Sequence, residues 1–173
     1  MENDFLSELG LNAIVTRMKR VSDSMLHDGK RMYKELEMDI EPNWFAVFKL
    51  LQKHDHMTVT EIADAIGLSH PSVISIVNKM VDAGYLSGSR SADDSRKRIL
   101  SLTPKAKRKM PQFELAWDAG TAGVKKMMHD TDILGALDRL ERRIREKGFR
   151  ERTLEQLEKI KSVEVVEYDE KYK

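Results

Sequence analysis

Two short helical patterns separated by a single glycine restrict the fold of this 173-residue chain more than any other feature. Thr58 and Glu61 have the S/T-x-x-E spacing of a capping box, which predicts the start of the first short helix. Gly67 follows, and glycine adopts the left-handed backbone angles of a tight turn without steric cost. Ser69 then offers a hydroxyl that can cap a second helix. This order of signals predicts a helix-turn-helix.

The predicted second helix has one apolar stripe and one polar stripe. The apolar residues recur at helical spacing and should pack against the first helix; they are Val73, Ile76, Val77, Met80 and Val81. The polar side chains are short and rich in hydrogen-bonding groups, which suits a helix that reads base edges in a DNA major groove. A helix-turn-helix also occurs in proteins that never bind DNA, so a protein-docking module remains an alternative. The predicted DNA-contacting residues are Ser69, His70, Pro71, Ser72, Ser75, Asn78 and Lys79.

A predicted β-hairpin follows, with strand-like runs at residues 85–90 and 98–102 around the polar turn SADDSRK. An arginine at a hairpin tip can enter a DNA minor groove, and an adjacent carboxylate can orient its guanidinium. Basic residues outnumber acidic ones from Ser89 to Met110, although the whole chain carries a net charge of only +1. Such a local basic block suits phosphate contacts, whereas the alternative is an ordinary hairpin with a solvated charged face. The predicted contacts of this wing are Asp94, Arg96, Lys97 and Arg98.

These segments resemble the MarR family of transcriptional regulators. The match includes TVTEIADAIGLSHPSVISIVNKMVDAGYL and the wing DDSRKRILSLTPKAK, where the family shows D-x-R and a strand ending in L-T-x-K-G. The resemblance covers about residues 9–147, and Ala106 stands where the family usually has glycine, so we expect a regular start of the next helix. It implies that Asp94 and Arg96 form a wing-tip pair and that residues 69–79 lie in the major groove.

Long helical patterns flank this segment at about residues 9–36, at 105–129 and around 133–144. We therefore expect a mostly α fold with a small β-hairpin wing, that is, a winged helix-turn-helix with long N- and C-terminal dimerisation helices. In the resemblance the first and last helices pair two subunits, which implies a homodimer. A MarR-like domain is expected at 1–148, with its DNA-binding core at 42–103, and a charged tail or linker at 149–173.

The tail combines a charged helical pattern, RERTLEQLEKIK, with an alternating segment, SVEVVEYDEKYK, that predicts a strand. It resembles the joint in MarR-type regulators fused to a GNAT acetyltransferase, and DGKRMYKELEMDIEPNWFAVFKLL resembles the same subgroup. A regulatory N-terminal part of such a fusion is therefore a second hypothesis. No remaining residues could build the acetyltransferase fold, so we predict no enzymatic activity for this chain.

Composition excludes several classes of function. The absence of cysteine excludes disulfides, thiolate catalysis and cysteine zinc sites. His54 and His56 are two residues apart and would not face the same way on a helix, so we favour a helix-end role over metal binding. We predict no catalytic residues, no cofactor and no metal. No run approaches the apolar length of about 18 residues that a membrane span needs, and residues 1–8 are unlike a signal peptide, so we expect a cytoplasmic protein without membrane contact.

The resemblance also implies an effector crevice between the dimerisation helices and the DNA-binding lobe. The candidate lining residues are Met25, Met32, Trp44, Phe48 and Trp117, each of which could instead be plain core. The leading hypothesis is a dimeric, ligand-responsive transcription factor that binds a double-stranded DNA operator and a small-molecule effector.

Overall fold

The computed structural model describes residues 4–90 and 98–171. These residues form mostly helices and one small three-stranded antiparallel sheet, which confirms the predicted fold class. The chain divides into two compact units, Met1–Trp117 and Asp118–Lys173.

The first unit starts with the short helix α1 (Phe5–Glu8) and a 3-10 turn (Gly10–Ala13), followed by the long helix α2 (Ile14–Glu35). The predicted first helix is thus interrupted near its start, where Gly10 takes a left-handed φ of 55°. Gly29 lies inside α2, and a Cβ at this position would sit 3.3 Å from Cγ of Pro42. Glycine therefore lets the 3-10 turn Pro42–Trp44 pack closely against α2.

Three helices, α3 (Phe45–His54), α4 (Val59–Ile66) and α5 (His70–Asp82), form the helix-turn-helix and its support. The predicted capping box is present, because Thr58 Oγ1 accepts from the Glu61 N–H at 3.2 Å and the Glu61 carboxylate accepts from the Thr58 N–H at 2.7 Å. Gly67 ends α4 with a left-handed φ of 67°. The local signals of the sequence therefore set both boundaries of α4.

The sheet contains β1 (Met57–Thr58), β2 (Leu86–Arg90) and β3 (Arg98–Leu102), in the order β1-β3-β2. Leu86 pairs with Leu102 and Gly88 with Leu100, so β2 and β3 form the predicted hairpin. The pairing of β1 with β3 is an addition that the sequence did not predict.

Helix α6 (Pro104–Met127) begins directly after the wing. Thr103 Oγ1 accepts from the Ala106 N–H at 3.2 Å and donates to the Gly84 carbonyl at 2.7 Å, so one hydroxyl both caps α6 and binds it to the end of α5. Ala106 is fully buried inside a regular first turn, as its replacement of the usual glycine predicted.

An aromatic cluster forms the centre of the first unit. Phe48 of α3 lies within 6.0 Å, centroid to centroid, of the rings of Tyr85, Phe113 and Trp117. Trp117 Nε1 donates to the Tyr33 hydroxyl at 2.9 Å, which ties α6 to α2. Helix α5 and the wing thus rest on a core shared by α2, α3 and α6.

The second unit contains α7 (Ile133–Glu146) and α8 (Phe149–Lys171). Asp132 caps α7 by accepting from the Gly135 N–H at 3.1 Å. The strand predicted in the tail is wrong, because α8 continues through that segment to Lys171. A helix that has already formed gains one backbone hydrogen bond for each added residue, whereas a strand needs a neighbouring strand to satisfy its backbone.

Within the described ranges, no helix is both long and apolar enough to cross a membrane. The same residues bring together no group of three or more side chains that could hold a metal ion.

Candidate nucleic-acid interface

Helix α5 has one buried face and one exposed face. Val73, Val77 and Met80 are fully buried against the core, and Ile76 is nearly so. The opposite face exposes Ser75 and Asn78 at its centre. Because both exposed side chains are short and can form hydrogen bonds, this face suits an approach to base edges.

The N-terminus of α5 is organised by two serines. Ser69 Oγ accepts from the Ser72 N–H at 3.4 Å, and the two hydroxyls lie 2.8 Å apart. Pro71 occupies the first turn, where its missing N–H leaves no intrahelical hydrogen bond unmade. Ser69 therefore caps α5, and the Ser72 hydroxyl contacts the capping hydroxyl, in addition to the DNA-contacting role predicted for both serines.

One predicted wing residue contacts α5 directly. Arg98 opens β3, and its Nη1 donates to Oδ1 of Asn78 at 3.4 Å. The guanidinium is exposed and thus accessible to an anion. The other three predicted wing contacts, Asp94, Arg96 and Lys97, lie outside the described residues.

A charged cluster lies at the other end of α5. The Tyr85 hydroxyl donates to Oδ1 of Asp39, and Lys105 Nζ lies 3.0 Å from Asp39 Oδ2. The same ammonium donates to the Ala83 carbonyl at 2.8 Å and lies 4.1 Å from the centre of the Tyr85 ring. Lys105 belongs to the basic block at residues 89–110, for which the sequence allowed either phosphate contacts or a solvated charged face. Here it connects α6 to the end of α5.

The electrostatics of this Asp39 cluster favour the charged carboxylate. Partial burial alone would raise the pKa of Asp39, but the Tyr85 hydroxyl and the Lys105 ammonium outweigh it and hold that pKa below its ordinary value. Burial, and then the adjacent carboxylate, raise the pKa of Tyr85. Tyr85 therefore remains a neutral donor to Asp39 at physiological pH.

A cavity of 740 Å³ lies beside the C-terminal half of α5. Its cationic lining comes mainly from α2, whereas Lys79 and Asp82 extend into it from α5. Trp44 lines the same cavity and is 4% exposed, and its Nε1 has no hydrogen-bond partner among the described residues. A molecule in this cavity would therefore contact the helix that carries the candidate base-reading residues.

Part of this architecture is similar in sequence to a known protein family. Residues 38–97 match the sequence profile of the MarR family, and this range contains the helix-turn-helix and β2. This segment of the chain is therefore similar to the MarR family. No curated protein sequence matches the chain.

Solved structures share the MarR-type fold. Reduced AbfR bound to DNA has a TM-score of 0.63 at 17% identity, over 78% of this chain and 92% of that chain. A MarR protein from Peptoclostridium difficile has a TM-score of 0.63 at 16% identity, over 79% and 90%. The transcriptional repressor CouR, bound to a 23-mer DNA duplex, has a TM-score of 0.62 at 21% identity, over 83% and 99%. AbfR and CouR are bound to DNA in these structures, and CouR is named as a transcriptional repressor. The proposed kinship with acetyltransferase fusions remains a prediction.

Every DNA-contacting residue predicted on α5 and at its N-cap is exposed. Their contacts with DNA remain predictions. The sequence interpretation missed Ile74, which is 46% exposed. Ile74 lines a 400 Å³ cavity together with His70 and Arg98. The i, i+4 spacing of His70, Ile74 and Asn78 could have revealed it, since this spacing places all three on one row of the helix.

The predicted crevice residues do not share one location. Phe48 and Trp117 belong to the aromatic core, and Met32 packs against that core. Trp44 lines the 740 Å³ cavity, whereas Met25 is exposed on α2. Ligand contact by these five residues remains a prediction, and the cavity itself adds polar residues of α2 and α5 that the sequence did not indicate.

Proposed function

We propose that this chain is a cytoplasmic, homodimeric transcriptional regulator that binds double-stranded DNA through α5 and its wing and responds to a small molecule. The observation that carries the proposal is the exposed polar face of α5, opposite a fully buried face and next to the guanidinium of Arg98. The DNA-bound states of AbfR and CouR, which share the fold, support the same function for this chain.

Selection of bound fragments from a random duplex pool tests DNA binding directly. Two copies of α5 in a dimer should select two half-sites about 10 base pairs, or about 34 Å, apart. Affinity for the selected duplex should fall steeply as salt rises, because phosphate contacts release counterions. A pool from which the protein enriches no sequence would contradict the proposal.

The wing is tested by Arg96→Ala in a titration with the selected duplex. We expect a marked loss of affinity and an unchanged unfolding midpoint, because an arginine at the hairpin tip would contact DNA rather than support the core. Arg150→Ala is the matched control, since it removes the same charge from the exposed surface of α8. Equal affinities of these two variants would reject the wing assignment.

The dimer proposal rests on apolar residues that each unit leaves exposed. Leu11 and Val15 near the start of α2 are 86% and 72% exposed, and Leu134 of α7 is 74% exposed. Apolar surface of this kind marks protein contacts, and a second copy of the chain would cover it. Sedimentation equilibrium should give a dimer for the wild type and a shift towards monomer for Leu134→Glu. A monomeric wild type at micromolar concentration would contradict the proposal.

The ligand proposal rests on the 740 Å³ cavity, which is within the range of small-molecule sites. Lys34 and Lys79 line it and have no ion-pair partner in the described part of the chain, so the cavity favours a ligand with an anionic group. A ligand changes DNA affinity only by preferring one arrangement of α5 over another. Screening small carboxylic acids by thermal shift and by DNA affinity should therefore identify compounds that change both, and a screen that changes neither would count against ligand control.

A further inference from the structure

The contact between Arg98 and Asn78 depends on the residue over which the arginine passes. Gly88 pairs with Leu100 in the sheet, and Arg98 lies two residues before Leu100, so Gly88 and Arg98 are diagonal neighbours on one face. Leu100 is fully buried, which identifies this face as the one directed towards the helices. The Arg98 side chain therefore crosses β2 on the side of α5.

Only a residue without a side chain leaves room for this path. A Cβ at position 88 would lie 2.2 Å from Nε of Arg98, 3.0 Å from Cζ and 3.1 Å from Cδ. Gly88 has no positive φ that would require glycine for backbone reasons. Alanine at position 88 would thus displace the guanidinium without changing any charge or straining the strand.

The position of the guanidinium affects what Asn78 can read. A free asparagine can present both a donor and an acceptor, which is the pairing that adenine offers through N7 and N6. Arg98 Nη1 occupies the Oδ1 acceptor of Asn78, and its positive charge disfavours a second donor at that oxygen. The pair then offers donors only, so it favours a base that presents acceptors, such as guanine with N7 and O6.

We propose that Arg98 is a positioning and specificity-determining residue that holds Asn78 as a donor-only reader of base edges, and that Gly88 is the residue that permits this. The inference rests on the proposed DNA-binding function. It differs from a simple phosphate contact by Arg98, because a phosphate contact would carry no base preference.

Gly88→Ala is the central variant, and Ser89→Ala on the same strand is its control. In selections from a random duplex pool, we expect Gly88→Ala to lose preference for a base acceptor at one position of each half-site by about tenfold. The salt dependence of binding should stay unchanged, because Gly88→Ala retains every charge. Arg98→Met should lose the same preference, and adding Gly88→Ala to Arg98→Met should cause no further change. Full additivity of the two substitutions, or a wild-type preference in Gly88→Ala, would overturn the inference.

A measurement without DNA separates this inference from the proposed function. The side-chain amide resonances of Asn78 in ¹H–¹⁵N spectra should shift in Gly88→Ala and in Arg98→Met, and should stay in place in Ser89→Ala. Unshifted resonances in both variants would overturn the inference even if the wild type binds DNA. A wild type that enriches no duplex would reject the proposed function and the base-reading role with it, while shifted resonances would still establish the contact.

Discussion

Lys105→Met tests whether the Asp39 cluster stabilises the end of α5. Methionine keeps much of the aliphatic stem and removes the ammonium, which makes three contacts in the wild type. These contacts are the ion pair with Asp39 at 3.0 Å, the hydrogen bond to the Ala83 carbonyl at 2.8 Å and the approach to the Tyr85 ring at 4.1 Å.

The size of the effect follows from the exposure of each contact. The Asp39 side chain is 63% exposed, so solvent screening limits the ion pair to about 0.5 kcal/mol. The hydrogen bond to Ala83 is partly buried and contributes about 1 kcal/mol, and the cation–π contact about 0.5 kcal/mol. Because the three contacts share one ammonium and are not additive, we expect Lys105→Met to lower the free energy of unfolding by about 1 to 2 kcal/mol.

Urea unfolding at one fixed protein concentration measures this loss, and both tryptophans, Trp44 and Trp117, are buried in the first unit and report on it by fluorescence. Lys107→Met, on the exposed side of the same helix, is the control and should cost under about 0.5 kcal/mol. In a double-mutant cycle with Asp39→Asn, a coupling of about 0.5 kcal/mol is expected. Equal midpoints for the two lysine variants, or complete additivity with Asp39→Asn, would refute the reasoning.

The contribution of Asp39 to the free energy of unfolding should fall at acidic pH. The pKa of Asp39 is lowered in the folded state, so its contribution to stability is complete above the unfolded pKa, about 3.8, and is lost as pH falls through the lower folded pKa. The difference between wild type and Asp39→Asn should therefore be the same at pH 7 and pH 5 and should shrink below pH 3.8.

Urea unfolding also measures the contributions of a helix cap, the aromatic cluster and two glycines to the free energy of unfolding. Thr58→Ala removes one side of the capping box and should cost about 1 kcal/mol, whereas Thr60→Ala, two residues later and exposed, should cost little. Equal losses would argue against the cap. Phe48→Ala empties the centre of the aromatic cluster and should cost about 3 to 5 kcal/mol, and a loss below about 1 kcal/mol would show that the cluster is not the core. A Cβ at Gly67 or Gly123 would meet nothing within 4 Å, so backbone conformation alone should decide the effect of alanine. Gly67→Ala should destabilise by about 1 kcal/mol, because φ is 67° there. Gly123→Ala, inside α6, should stabilise by about 0.5 to 1 kcal/mol, because alanine favours a helix. Changes of the same sign at both glycines would contradict this.

The sequence predicted the parts of the fold that depend on neighbouring residues. Thr58 with Glu61, Gly67 and Ser69 act within three residues of the helix ends that they determine, so their spacing alone was sufficient. The strand β1 was missed because two residues carry no periodicity and its partner Leu100 lies far along the chain from Met57. The tail was predicted as a strand because alternation and β-branched residues outweighed the continuity of an existing helix.

The candidate DNA-binding surface was likewise predictable only where it depends on neighbouring residues. The exposed face of α5 could be predicted, because helical periodicity separates it from the buried stripe. The contact of Lys105 with Asp39 could not be predicted, because a basic block shows charge but not the partner of each charge, and Asp39 lies 66 residues away. The role of Gly88 depends on the path of one side chain across a neighbouring strand, which no spacing along the chain reveals.

The contact of Lys105 with the end of α5 bears on how a ligand could act. Asp39 lines the 740 Å³ cavity and binds Lys105, which in turn holds the Ala83 carbonyl just after α5. We therefore expect an anionic ligand in the cavity to repel the Asp39 carboxylate, weaken its ion pair with Lys105 and so loosen the end of α5. Linkage requires that DNA weaken ligand binding by the same factor by which the ligand weakens DNA binding. Titrating the ligand by calorimetry with and without the selected duplex measures that factor. Asp39→Asn has already lost the charge on which the ligand would act, so the factor should be close to one in this variant. A factor unchanged by Asp39→Asn would show that coupling reaches α5 by another route.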